Sequence, residues 1–492
     1  MNGGKVLVSG SGLVTNSLPI QVGEPAVAVE GEEVAAPEAV IFAANGSGRK
    51  LVISGVISGA APIAVGAASG TVEFTGNNTF TGKLSVTNGY FNATGKTALG
   101  AGKEGILFKT GKGDGDGRAK VALVNVRVNK PVVINGSQKT GEFTIKGNYQ
   151  SVFDGPVTVE NQTLFSLSGW TTAIFNGGFK CTGTIAGQVE TGSTFKLAGS
   201  DINIAAFNLG FTSSATTANK NNYAKYEVNA PIRISGAGFK HYGMHIRLPR
   251  GQFLMNVANA ITNTTSQAKD REVPLRYSGS AEDTTFNMNG YEQTFMSIQD
   301  EVKKSSNVIT SDKSCILRLK QNWVANTIIV NGEFQEPRPR KDTFYGTISG
   351  KVSVSVEGSD SCYFAGPNTS TGSFSLTNQA YCGFTSDGVW KGTNFFVSAG
   401  STLVVSNTAA MPAKSQIRLS DAPDQEVKSS ILLGEGNYTA TSMSVDGELL
   451  YRGTWGSSES NARFKDDVHF KGPGVLTLKT GAPFPGCRII IK

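Results

Sequence analysis

Nowhere in the 492 residues do about eighteen apolar residues run together, so no membrane-spanning helix is expected. The start, MNGGKVLVSGSGLV, has no basic stretch followed by a long apolar run, so an export leader is either already removed or replaced by another route. The five cysteines, Cys181, Cys315, Cys362, Cys382 and Cys487, are few and odd in number, which argues against a disulfide framework and leaves the redox compartment open. Cys362 and Cys382 lie about one coil apart and are expected to stack on neighbouring rungs, as two small apolar core residues rather than as a disulfide, the alternative that the spacing also allows. No Cys-x-x-Cys spacing occurs, and no metal or cofactor is expected. A net charge of +7 is slight for this length, and the basic residues are scattered apart from Arg338-Pro-Arg340-Lys341. A nucleic-acid partner would need a basic stripe interleaved with aromatics, so none is expected. Helical spacing is nearly absent; only Asn259 to Ala268 and Gln299 to Lys304 suggest a helical turn, and neither carries an apolar stripe.

What the chain does have is glycine, 60 residues of it, and short runs in which Val, Ile, Phe or Thr falls at about every second place. That period belongs to strands with one face buried and one wet. Strands are predicted at Lys5 to Ser9, Leu51 to Ile57, Thr71 to Phe74, Lys83 to Thr87, Lys120 to Val126, Pro131 to Ile134, Glu142 to Ile145 and Pro156 to Val159. Later strands are predicted at Ser401 to Ser406, Ser442 to Tyr451, Gly474 to Lys479 and Cys487 to Lys492. The phrase Val128-Asn-Lys-Pro131-Val-Val-Ile134 returns as Val228-Asn-Ala-Pro231-Ile-Arg-Ile234 and, more loosely, as Phe153-Asp-Gly-Pro156-Val-Thr-Val159. Proline cannot donate to a ladder, so each copy marks a corner where a strand begins.

A longer repeat is present as well. Gly55 to Gly100, GVISGAAPIAVGAASGTVEFTGNNTFTGKLSVTNGYFNATGKTALG, comes back from Gly346 as GTISGKVSVSVEGSDSCYFAGPNTSTGSFSLTNQAYCGFTSDG. Counted from Phe74, the second copy keeps Phe364, Gly366, Asn368, Thr369, Thr371, Gly372, Ser375, Thr377 and Asn378, the turn formers and inward positions. Recurrence of one short-stranded unit is the mark of a solenoid, in which about twenty coils of about 20 to 25 residues stack at about 4.8 Å each. Four segments are expected: 1–54 as an N-terminal cap and first rungs, 55–200 with the first clear repeat, 201–341 with longer loop insertions, and 342–492 with the second copy and a C-terminal strand. Thr212 to Asn222 and the charged stretch Gln299 to Lys313 are expected to project as surface loops.

The phrases Gly55-Val-Ile-Ser-Gly59, Phe74-Thr-Gly-Asn-Asn-Thr-Phe-Thr-Gly82 and Ala98-Leu-Gly100 resemble the passenger-associated transport repeat of bacterial autotransporter-type surface proteins. The resemblance covers about fifty residues well, the copy at Gly346 less well, and weaker echoes such as Val397 to Pro412 extend it. It implies an all-β, right-handed parallel β-helix displayed outside a bacterial cell, extracellular or on the surface. The family's C-terminal membrane β-barrel is not seen before Lys492, so an isolated passenger or a barrel-free relative is expected.

Three groups of residues could carry chemistry. Asp466-Asp467 with Arg463 and His469 is the best acid/base cluster, but an extended segment would point the two carboxylates to opposite faces, whereas glycoside hydrolysis needs them to converge. Asp114 and Asp116 are spaced as in a calcium loop but lack the later bidentate acid and sit beside Lys112 and Arg118. His241 and His245, four apart on a strand, are about 13 Å from each other and cannot share a metal. No Gly-x-Ser-x-Gly elbow, phosphate loop or dinucleotide fingerprint stands in the right context. The expectation is a non-enzymatic structural protein whose partners are other copies of itself and, as a further option, cell-surface glycans. Its ends carry unpaired backbone, so Val6, Leu7 and Val8 at one end and Ile489, Ile490 and Ile491 at the other are the candidates for head-to-tail self-association into a filament or surface array. The rival readings are a polysaccharide-cleaving β-helix enzyme and a glycan-binding adhesin using Trp170, Tyr242, Trp323 and Trp390.

Overall fold

The computed structural model describes all residues except 1–4, 9–11, 24–37, 44–47, 112–116, 137–141, 162, 191, 212–223, 235–245, 249–250, 264–274, 278–283, 296, 301–305, 321–327, 331–332, 336–340, 359–360, 386, 399, 423–425 and 484–492. Among the described residues every regular element is a strand, most strands pair in parallel, and there is no helix. The chain divides into two compact units, Met1–Lys269 and Asp270–Lys492.

In the first unit three parallel ladders are visited in fixed rotation. The chain lays Val132–Gly136 on the first, Glu142–Lys146 on the second and Gln150–Phe153 on the third, then returns to the first with Val157–Glu160, to the second with Thr163–Ser168 and to the third with Thr172–Phe175. Pairing is in register at each return. On the first ladder Ala39, Ile63, Leu84, Ile106, Val132, Val157, Phe179, Ile202, Ile232 and Ile261 succeed one another as direct neighbours. All ten are buried. Each side chain therefore covers the one before it, and burial of one Val, Leu, Ile or Phe contributes about 1.5–3 kcal/mol.

Register follows from the alternation of the strands. In Thr71–Phe74 the side chains of Val72 and Phe74 are buried while Thr71 and Glu73 are partly exposed; a slip of one residue would reverse this. Phenylalanines of the second ladder meet in the core, Phe74 against Phe91 edge-on at 5.2 Å and Phe143 stacked on Phe165 at 5.3 Å, while Phe108 of the first ladder lies 5.5 Å from Phe143. The ladders meet inside, since Phe175 of the third lies 6.1 Å from Phe165 of the second and 5.0 Å from Phe179 of the first. Outward residues pair their charges along the ladder, as Lys196 and Glu227 do at 2.9 Å.

The second unit repeats the principle. One ladder runs Gln293–Phe295, Cys315–Lys320, Val352–Glu357, Phe374–Thr377, Asn394–Ser398, Gln416–Ser420 and Ser442–Val445. Another runs Lys341–Phe344, Ser361–Phe364, Tyr381–Phe384, Thr402–Val405, Ser430–Leu433 and Phe470–Lys471. Its last part departs from the parallel scheme. Ser442–Val445 turns back on Glu448–Leu449, and Gly453–Gly456 runs antiparallel to Val475–Leu478. The predicted single strand from Ser442 to Tyr451 is thus a hairpin, its turn made by Asp446 and Gly447, both at positive φ.

Where residues are described, strand boundaries agree with the sequence pattern except at corners; the strand expected at Cys487 to Lys492 and the loop expected at Thr212 to Asn222 lie outside the described residues. Leu51 to Ile57 breaks into Lys50–Ile53 and Ile57–Ser58. The predicted helical turns are not formed where the residues are described: Ile261–Asn263 and Ile298–Asp300 are strands, the second paired in parallel with Leu275–Tyr277. The charged stretch from Gln299 to Lys313 is accordingly not one projecting loop, because Val308–Thr310 also joins a ladder between Thr285–Asn287 and Thr347–Ile348. Ile298 and Ile309 are fully buried, and that burial overrides the weak local preference.

Candidate functional site

The retained residues of the long repeat build one corner twice. The Asn78 amide is buried and spans three layers: its Oδ1 accepts from the Ile57 N–H at 2.8 Å and its Nδ2 donates to the Ala98 carbonyl at 2.7 Å. Asn368 does the same in the second copy, accepting from Ile348 N–H at 2.8 Å and donating to the Val389 carbonyl at 3.0 Å. The threonine that follows donates its backbone N–H to the layer before, Thr79 to Ile57 O and Thr369 to Ile348 O, both at 2.8 Å. Glycine is required beside it. A Cβ on Gly76 would sit 2.3 Å from the Gly55 carbonyl, and one on Gly366 would sit 1.9 Å from that of Gly346. These positions are explained by the backbone of one layer lying directly on the next.

Among the described residues nothing covers the first layer of the N-terminal unit. The column Val14, Leu51, Val72, Phe91, Val121, Phe143, Phe165 is buried from Leu51 onward, whereas Val14 at its head is 36% exposed. Leu13 and Leu18 beside it are 67% and 72% exposed, and Val56 in the next layer is 37% exposed. The strand Leu13–Asn16 pairs with Lys50–Ile53 on one side, and among the described residues no strand pairs with its other side. Val6, Leu7 and Val8 lie nearby in sequence on Lys5–Val8, which pairs in parallel with Ala39–Ala43. Ile489, Ile490 and Ile491 fall outside the described residues.

The acid/base cluster takes a form that the sequence did not suggest. His469 is held between two carboxylates, its Nδ1 2.7 Å from Asp466 Oδ2 and its Nε2 3.2 Å from Asp421 Oδ2. Asp466 does not lie on a strand; its carbonyl accepts from Phe470 N–H and its Oδ1 from the N–H groups of Val468 and His469, which closes a turn. Asp467 leaves in another direction and accepts from Ser458 N–H at 2.6 Å. Burial alone would lower the imidazole pKa, but hydrogen bonds and charge from Asp466 and Asp421 outweigh it and raise it. Burial would raise the Asp421 pKa, and the bonds from Ser429 and His469 reverse that, holding it below the usual range. With both ring nitrogens engaged the imidazole has no free atom to take a substrate proton. The two carboxylates stand on opposite sides of the ring, so the three groups do not converge on one cation; among the described residues no such convergence is found.

An open groove of about 330 Å³ crosses the outer face of the first ladder, lined among others by Lys83, Leu107, Lys109, Val133, Asn135 and Glu160. Asn135 Nδ2 donates to Glu160 Oε2 at 2.8 Å, and Arg118 donates to the Asn135 carbonyl at 2.8 Å. Among the described residues Glu160 is the one carboxylate of the lining, whereas glycoside cleavage uses two.

No protein family, curated protein or solved structure matches the chain. Function is therefore carried by geometry. Of the aromatics considered for glycan binding, Trp170 is 56% exposed, while Trp390 is buried in the core and donates its Nε1–H to the Gly372 carbonyl at 3.2 Å. Tyr242, Trp323, His241, His245, Asp114, Asp116, Arg338 and Arg340 lie outside the described residues. Two charged groups had no signal in the sequence. One is Asp421, 48 residues from its histidine. The other is Lys130, 1% exposed, whose Nζ lies 4.9 Å from the centre of the Phe80 ring with no hydrogen-bond partner. Burial lowers the Lys130 pKa to about 8, against a weaker opposing pull from Glu104.

Proposed function

We propose that this chain is a right-handed parallel β-helix whose role is structural: a surface-displayed bacterial scaffold that associates with other copies of itself through its uncovered first layer. The observation that carries the reading is the exposed head of the core column at Val14, flanked by Leu13 and Leu18 on a strand whose far edge has no partner among the described residues. Such an edge offers both unpaired backbone and apolar surface, the two features that recruit another strand. The fixed rotation through three ladders supports the solenoid, and the resemblance of Gly55 to Gly100 to passenger repeats supports display outside the cell. The engaged ring of His469 and the single carboxylate of the outer groove favour a scaffold over a polysaccharide-cleaving enzyme.

Sedimentation velocity over a hundredfold range of concentration tests the association. The wild-type chain is expected to shift to larger species as concentration rises, and the double variant Val14→Lys, Leu18→Lys to stay monomeric with an unchanged far-ultraviolet spectrum. A wild type that is monomeric throughout, or variants that associate equally well, would refute it.

A further inference from the structure

In the second unit one inward column reads Asp342, Cys362, Cys382, Leu403, Ile431, Phe470, each the direct in-register neighbour of the next. Cys362 and Cys382 are both fully buried and both free. In-register parallel neighbours project their side chains the same way and have Cα atoms about 4.8 Å apart, inside the window of about 4.4–6.8 Å that a disulfide accepts. Bonding requires the Cβ atoms to draw in to about 3.8 Å, a closure of about 1 Å from the ladder spacing. The in-register neighbours of Cys181 are Val159 and Ile204, and that of Cys315 is Val352, none of them a cysteine.

We propose that Cys362 and Cys382 are a disulfide site, joining two consecutive layers when the chain folds in an oxidising medium. The oxidant is of the disulfide class, such as glutathione disulfide. One cysteine, as thiolate, attacks it to form a mixed disulfide and release one glutathione thiolate; the second cysteine, having lost its proton, attacks the protein sulfur and releases the other. The protein loses two electrons and two protons, and glutathione disulfide becomes two glutathiones. The reaction belongs to assembly rather than to the finished layer. Burial, followed by interaction with Cys362, raises the Cys382 pKa well above the ordinary thiol value. Exchange therefore takes place while Tyr381–Phe384 is still adding to Ser361–Phe364, and once closed the bond is shielded from reductants. This inference stands apart from the self-association reading, because it concerns layers within one chain.

The test is to refold the reduced, denatured chain with reduced and oxidised glutathione, quench with acid, unfold, alkylate free thiols and map the digest by mass spectrometry. The five cysteines are expected to leave three alkylatable thiols, with one dominant cross-link joining the peptides that carry Cys362 and Cys382. The oxidised form is expected to resist urea better than the reduced form, a difference that Cys382→Ser abolishes while keeping the strand spectrum. Five free thiols in chains with that spectrum, or a dominant link between other cysteines, would overturn the proposal.

Discussion

At the scale of single residues, the buried asparagines are the clearest case of side chains substituting for backbone. Asn78 and Asn368 each satisfy a donor on one layer and an acceptor on another, so replacement by alanine leaves both unpaired in the interior. Each change is expected to cost about 2–4 kcal/mol, read as a drop in the urea midpoint. A loss below about 0.5 kcal/mol would mean that water or a shifted backbone takes the place of the amide. Lys130 works in the opposite sense. Its folded pKa of about 8 is below the ordinary lysine value, so the buried ammonium opposes folding at neutral pH, and stability from this group improves as pH rises through that value. Lys130→Met is expected to stabilise the chain by about 1–3 kcal/mol at pH 7, with a gain that shrinks toward pH 10; an equal gain at both values would show that charge is not the cause. The repeat showed that Asn78 and Asn368 occupy special turns, but not that they bridge three layers, because their partners are set by register. Nothing in Val-Asn-Lys-Pro marks Lys130 as buried.

At the scale of elements, the His469 clamp ties the segment after Gln416–Ser420 to the turn before Phe470–Lys471, and His469 also accepts from Ile431 N–H through its carbonyl at 2.8 Å. Two carboxylates facing both ring nitrogens require an imidazolium. Since the folded pKa of His469 is raised, its stabilisation is fully present below the unfolded value of about 6.5 and is lost as pH rises through the folded value. Asp421 behaves in reverse: its lowered pKa stabilises above about 3.9 and fails as pH falls through the folded value. The clamp is therefore strongest between about pH 4 and 6.5. His469→Gln is expected to lower the urea midpoint more at pH 6 than at pH 9, and a deficit that does not narrow with rising pH would contradict the charged clamp. Strands such as Thr71–Phe74 were legible because alternation is a local property. The clamp was not, because Asp466 sits in a turn and Asp421 arrives from a distant layer. The hairpin at Ser442–Leu449 was missed for a related reason: alternation continues across Asp446 and Gly447, and only the direction of pairing reveals the reversal.

At the scale of the whole molecule, the all-β composition and the long parallel ladders were legible from the absence of helical spacing and the recurrence of Gly, Asn and Thr corners. The rotation through three ladders was not, because strand length and alternation are the same on each. An unpaired end was expected at Val6, Leu7 and Val8, and the exposed apolar residues Leu13, Val14 and Leu18 follow them in the chain. The central proposition is that successive coils of the first unit lie directly over one another. Outward positions Ala64, Ser85, Leu107, Val133, Thr158, Lys180 and Asn203 follow one another in register on the first ladder. Pulsed electron-spin distances from a label at Ala64 to labels at Thr158, Lys180 and Asn203 test the stacking most directly. Stacked coils require about 19, 24 and 29 Å, rising by one strand spacing per layer. Distances that do not climb in equal steps, or that spread broadly, would contradict it.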